Sequence, residues 1–444
     1  MRPRSVALRI TAAYIASATM FATLSGAAAE DRQPNPLDKA IAALAPGQFA
    51  TLETLDIDPT LLSVGSSGSV FGFTEDIKWD PISEQLFYLG SDHGGPAQFA
   101  VYAAATNTWR REARQPWFFS GAGGASHGYD HSAIDPNGRA FYNRPAGFTN
   151  AYRFDIDKQT WSETPSFKTD LEYNQCCSAL EYFPELGGLV FVSVERAVVN
   201  AAVLLLKDGA PTWQRLASNL PMGNYHNFAE YNPVHQVLVF GGGNGSKALY
   251  KLDGQGKVTR LKDAPVLLGI QQSVFTVDPA SGDYLVFTKG GKFYSYDVTT
   301  DHWSLQDVAV PIWTSAYGNP IHGVVATPLT SYGATLFVTC EYNAGCRVTL
   351  YRHSAADEDP RAYFPTASLA VSPPLVRPGE EATLSWSSEG ATRCTADWTA
   401  QGSTRGEETV HPTATTVYAV TCSAGRFAST ASVSLAVSGP APGN

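Results

Sequence analysis

Residues 127–145, HGYDHSAIDPNGRAFYNRP, gather His127, Tyr129, Asp130, His131, Tyr142, Asn143 and Arg144 into nineteen positions. Imidazoles and phenols transfer protons when they are held in the right protonation state, and a guanidinium neutralises a carboxylate with fixed geometry. The stretch reads as a strand, a tight turn at Asn137-Gly138-Arg139 and a second strand, which sets both polar clusters at the same end of a hairpin. Such an end becomes a site only where other hairpins bring theirs beside it.

The rest of the chain repeats that hairpin. Candidate innermost strands end at Pro81, Pro136, Pro184, Pro233, Pro279 and Pro328, at spacings of 55, 48, 49, 46 and 49 residues. Four short strands per unit at this period predict an all-β fold, a β-propeller of six blades, or of seven if residues 56–73 hide an irregular one. The second strands read QLFYLGSDHGG, RAFYNRPAG, GLVFVSVERA, QVLVFGGGNG, YLVFTKGG and TLFVTCEYN. In the outer strands Tyr102 and Trp109, Phe154 and Trp161, Leu206 and Trp213, and Tyr296 and Trp303 stand seven apart, and the fourth unit breaks the rule at Val258 or Thr259. These aromatics are expected between blades rather than stacked on a sugar, because buried aromatic area dominates core packing. The last unit has three strands, so residues 49–55, FATLETL, are expected to supply its outer strand, preceded by a short helix at LDKAIAAL.

The sequence FGGGNGSKALYKL and the Tyr-to-Trp spacing resemble the kelch propellers of the galactose oxidase superfamily, over roughly residues 48–355. The resemblance implies the fold and leaves the activity open. In such a propeller the loop leading into each innermost strand and the turn between second and third strands share one face. The leading loops carry Glu75-Asp76, Tyr129-Asp130-His131, Cys176-Cys177, Tyr225-His226-Asn227, Gln271-Gln272 and Ile321-His322. The turns carry Asp92-His93, Tyr142-Asn143-Arg144, Glu195-Arg196, Asn244, Lys289 and Glu341-Tyr342. Five of the nine histidines, His93, His127, His131, His226 and His322, fall on that rim.

Three chemistries suit the rim. The first is β-elimination on a uronate-containing polysaccharide, with proton transfer by His131, His226, Tyr129 or Tyr225 and the carboxylate neutralised by Arg144, Arg196 or Lys289. Further substrate contacts are assigned to His93, Tyr142, Glu195, Gln272, His322 and Tyr342. In residue types the rim resembles that of propeller-fold polysaccharide lyases. The second is a single divalent ion held by His131, His226 and His322 with Gln271 or Gln272, similar to the histidine-rich site of oligogalacturonate lyases. No other cofactor is assigned. The third is glycoside hydrolysis by two carboxylates among Glu75, Asp76, Asp130, Glu195 and Glu341. A non-catalytic propeller that binds a glycan or a protein is the alternative.

Composition narrows the partners. Residues 1–29 read as a secretory signal peptide ending in Ala27-Ala28-Ala29, which predicts a secreted or periplasmic protein. Removing Arg2, Arg4 and Arg9 leaves 28 of 31 Lys and Arg against 41 Asp and Glu, taking the formal charge from −10 to −13. General nucleic-acid binding is thereby disfavoured, and no later run is long enough to span a membrane. An extracellular polysaccharide, acidic or not, is the expected partner. Six cysteines in an exported chain suggest local disulfides, Cys176 with Cys177, Cys340 with Cys346 and Cys394 with Cys422. Residues 30–47 form an N-terminal segment and 356–366 a linker. Residues 367–438, rich in Ser, Thr, Ala and Val in alternation around Trp386, look like a small immunoglobulin-like module before a tail at 439–444.

Overall fold

The computed structural model describes residues 34–57, 70–75, 77–90, 97–113, 127–167, 178–195, 200–313, 321, 323–341, 345–356, 364–424 and 427–438. The signal-peptide assignment and the Cys176–Cys177 pairing lie outside the described residues.

Short alternating strands separated by tight turns cannot bury both faces alone, so they stack. Among the described residues up to Arg352 they form six four-stranded antiparallel sheets. The innermost strands are Lys78–Asp80, Ser132–Asp135, Ala179–Phe183, Asn227–Asn232, Ser273–Val277 and Val324–Leu329. Each lies against the next, and the sixth lies against the first, so the strands enclose a central axis. The result is a β-propeller-like all-β fold. The sixth sheet takes its outermost strand from the N-terminal side: Gln48–Leu52 pairs antiparallel with Gly345–Arg352, with Phe49 opposite Tyr351. The helix Pro36–Ala42 precedes it, capped by Asn35 and Asp38 in a reciprocal capping box.

The aromatic spacing resolves into cross-strand pairs. Tyr102 faces Trp109, Phe154 faces Trp161 and Tyr296 faces Trp303 in register. Each pair packs against the neighbouring sheet: Phe154 and Trp161 join Phe87 and Phe99 of the first, and Tyr296 and Trp303 join Val239 and Leu249 of the fourth. In the fourth sheet Leu252 faces Val258, an aliphatic pair in the same place. Full burial of such side chains is worth about 1.5–3 kcal/mol each, and this is the main adhesive between sheets.

At three of the proline turns, those after Asp80, Asn232 and Asp278, the side chain before the proline caps the turn. Asp80 accepts the amides of Ile82 and Ser83, and Asn232 those of Val234 and His235. These turns also lock sheet to sheet. Arg139 donates to Asp80 of the first sheet at 2.5 Å and to Asp157 of its own sheet at 3.1 Å. Asp80 is fully buried.

After Phe364 two further sheets follow, one of Ser368–Ser372, Ala382–Ser387 and Arg405–Val410, the other of Leu375–Val376, Phe427–Val437, Thr416–Ala424 and Arg393–Thr395. Trp386, Val420 and the Cys394–Cys422 disulfide fill the space between them. A second disulfide, Cys340–Cys346, ties the sixth sheet. Two disulfides fit an oxidising compartment. No described helix is long and apolar enough to cross a membrane.

Replacing Arg139 by Met should leave the Asp80 carboxylate buried without its cation. Urea unfolding is expected to register a loss of about 3 kcal/mol or more, the scale for one partner removed from a buried pair. A change of about 0.5 kcal/mol, typical of an exposed site, would show that the seam does not depend on this pair.

Candidate functional site

Several residues leading into the innermost strands have left-handed backbones: Phe73 (φ 57°), Tyr129 (φ 43°), Tyr225 (φ 57°), His226 (φ 57°) and Gln271 (φ 76°). Non-glycine residues adopt this conformation at a cost that surrounding contacts must cover. Here the covering contacts are visible. The Tyr129 amide donates to the Phe73 carbonyl at 2.8 Å, and the Thr74 hydroxyl to the Tyr129 carbonyl at 2.9 Å. The Leu180 amide donates to the Asp130 carbonyl at 2.8 Å. The first three sheets are thus laced together at one mouth of the axis.

Two acids seen on this rim are spent on the lacing. Glu75 accepts the amide of Phe275 from the fifth sheet at 2.8 Å, and Asp130 accepts that of Ala229 from the fourth. Both are buried. They reach across the axis and hold non-adjacent sheets together, a structural use of the carboxylate.

Around this frame the rings converge on Tyr129. Its centroid lies 5.0 Å from His127, 5.0 Å from His131 and 6.0 Å from His226. Phe73 closes the group, 4.6 Å from His127 and 6.1 Å from His226, while Tyr225 lies 6.3 Å from His226. Ile270 packs beneath Tyr129. Four of the sequence-assigned residues, Tyr129, His131, Tyr225 and His226, therefore come together.

Their chemical states differ. His226 is half-buried, and its Nδ1 lies 2.8 Å from Asn244 Oδ1. An amide oxygen only accepts, so Nδ1 carries the proton and Nε2 keeps its lone pair. Burial lowers its pKa below the ordinary 6.5, against the opposing effect of the Asn244 hydrogen bond. His226 is thus a neutral, oriented base at neutral pH. Burial, then Tyr225, push the Tyr129 phenol up to about 12, so it keeps its proton. A base and an acid stand ring to ring.

His131 is different. It is fully buried, and Arg144 donates to its Nε2 at 3.0 Å. Burial and the adjoining guanidinium lower its pKa well below 6.5. With the lone pair engaged, His131 supports the Tyr129 ring and has no free basic nitrogen for proton transfer or for a metal. The expectation that Arg144 projects into the rim is corrected in the same way. Its guanidinium is buried over the Phe191 ring, 4.9 Å from the centroid, and donates to the Phe148 carbonyl. Tyr142 also leaves the rim, because the strand pleat turns it into the seam between the second and third sheets, parallel to Tyr182.

Gln272 and Lys289 stand at the fifth sheet's part of the rim, joined by a main-chain hydrogen bond of 3.0 Å, with Lys289 exposed. Glu195 ends the strand Gly188–Glu195, opposite Asn200; its side chain, and His93, Arg196, His322 and Tyr342, lie outside the described residues. No group of three His, Cys, Asp or Glu gathers in metal-binding geometry among the described residues. Sequence reading placed His127 and Asn244 on the rim without giving either a role, and it did not single out Phe73 or Ile270. Asn244 stands in the Gly241–Gly245 cluster. There a Cβ on Gly243 (φ 93°) would fall 2.2 Å from the Gly223 carbonyl oxygen, so only glycine lets the two loops cross and bring Asn244 to His226.

Asn244→Ala should remove the hydrogen bond that favours imidazolium. The His226 pKa, followed by NMR titration of its ring protons, is expected to fall further. An unchanged or raised value would mean that Asn244 does not orient the ring.

No family model matches this chain, and no curated protein matches it. Among solved structures, a chain of the "Crystal structure of Nidogen/Laminin Complex" is similar at 13% identity and a TM-score of 0.39, covering 54% of this chain and 81% of that chain.

Proposed function

We propose that the protein is an exported polysaccharide lyase whose active site is the His226–Tyr129 pair. It is built on a six-bladed kelch-like propeller with a C-terminal immunoglobulin-like module. The observation that carries this reading is the Asn244-oriented neutral imidazole of His226 beside a phenol that stays protonated. His226 Nε2 takes the proton from the carbon next to a uronate carboxylate. The electron pair forms the new C=C bond as the glycosidic C–O bond breaks, and Tyr129, or Tyr225 beside it, returns a proton to the leaving oxygen. Lys289 on the exposed rim, with Arg196, is the candidate to neutralise the carboxylate, since Arg144 is committed to His131. Two-carboxylate hydrolysis finds less support, because Glu75 and Asp130 hold main-chain amides.

Three measurements test this reading. Uronate polysaccharides incubated with the protein should yield unsaturated ends absorbing in the ultraviolet; chain shortening or binding without them would remove the elimination mechanism. His226→Ala and Tyr129→Phe should each lower turnover by about 100-fold or more, the scale of a lost proton-transfer group. The pH profile follows from the same states: kcat/KM should rise as His226 loses its proton below pH 6.5 and stay level through neutrality, because the Tyr129 proton is held to about 12. A decline beginning near pH 7 would assign the acid to another group.

A further inference from the structure

Two neighbouring seams share a pair of acids, and only one of them has an arginine between the pair. Between the first and second sheets the guanidinium of Arg139 is held by two carboxylates. Asp80 comes from the preceding sheet, one residue before its turn proline, and Asp157 from the turn joining the third and fourth strands of Arg139's own sheet. Arg139 sits at the left-handed position (φ 50°) just before the second strand. In the third sheet that position is Gly187, with φ 60°.

The two carboxylates remain in place around the missing side chain. Asp135 is the second sheet's counterpart of Asp80, one residue before Pro136, and Asp208 lies in the third sheet's turn between its third and fourth strands. Asp135 is 4% exposed; the amides of Asn137 and Gly138 act on its carboxylate, while its buried Oδ1 has no hydrogen-bonding partner. The Tyr182 hydroxyl donates to Asp208 at 2.6 Å and also acts on Asp135. Beside them a groove of about 630 Å³ opens, lined by Asp135, Tyr142, Leu206 and Asp208 among others. A Cβ at Gly187 would meet only Asp208, at 4.0 Å. The cations at the groove do not close the gap: Arg153 donates to the Gly138 carbonyl at 2.7 Å and to Asp155, and Lys207 is exposed.

We propose that this groove is a binding socket for a guanidinium group carried by a ligand, which bridges Asp135 and Asp208 as Arg139 bridges Asp80 and Asp157. A buried carboxylate oxygen without a partner is costly, and a planar guanidinium supplies paired donors to two carboxylates with little further ordering. The socket opens away from the Tyr129–His226 rim and does not depend on the proposed elimination.

Calorimetric titration of the full chain tests it, with ethylguanidinium as probe and N-ethylurea as its neutral isostere. Saturable binding of ethylguanidinium alone is expected. Asp135→Asn should weaken it at least 10-fold. Gly187→Arg, which places the chain's own guanidinium where the second sheet has one, should abolish it and raise the thermal midpoint; this variant decides the matter if Asp135→Asn fails to fold. No saturable binding, equal binding of N-ethylurea, or binding undiminished in Gly187→Arg would overturn the socket. A capped Gly-Arg-Gly peptide identifies the source: affinity at least 10-fold above ethylguanidinium points to an arginine of a polypeptide, and equal affinity to a small molecule.

Discussion

Cyclic closure is the constraint on which everything else rests. An open row of stacked sheets would leave an apolar sheet face uncovered at each end. The chain closes the ring by pairing Gln48–Leu52 with Gly345–Arg352, so a strand from before the first sheet completes the last one. Once the ring is closed, the six innermost strands have fixed neighbours, and the loops that lead into them have little freedom.

That rigidity is what permits polar chemistry at the mouth of the axis. Glu75 and Asp130 bridge non-adjacent sheets through main-chain amides, at depths where an unpaired carboxylate would be costly. Their bridges hold the left-handed turns at Phe73, Tyr129 and His226, and those turns aim the rings at one another. The Arg144–His131 pair then backs the cluster from inside. Buried charge here acts as scaffold, and the proposed elimination is assigned to uncharged groups, His226 and Tyr129.

The seams show the same economy in a different form. A single turn position, left-handed in successive sheets, carries Arg139 where a guanidinium locks two carboxylates and Gly187 where no guanidinium of the described residues joins Asp135 to Asp208. Local backbone geometry is conserved between these sheets while the side chain varies. A repeat architecture can therefore turn a structural lock into a vacancy without disturbing the ring.

The repeat was legible in the sequence because it is written in local terms: a proline at or just after the end of each innermost strand, glycine after most second strands, and aromatic pairs seven apart in three of the units. These features give the all-β sheets, the closing strand and the packing of Tyr102, Phe154 and Tyr296 between sheets. Polar residues at the loops leading inward also pointed to Tyr129, Tyr225 and His226. Sequence could not decide which way each side chain faces, since a strand pleat sends neighbours to opposite sides and thereby took Tyr142 into a seam and Arg144 into the interior. Nor could it pair His226 with Asn244, eighteen residues away, or match Asp135 with Asp208 across a seam. Such pairings depend on the separation of sheets in space, which only closure of the ring determines.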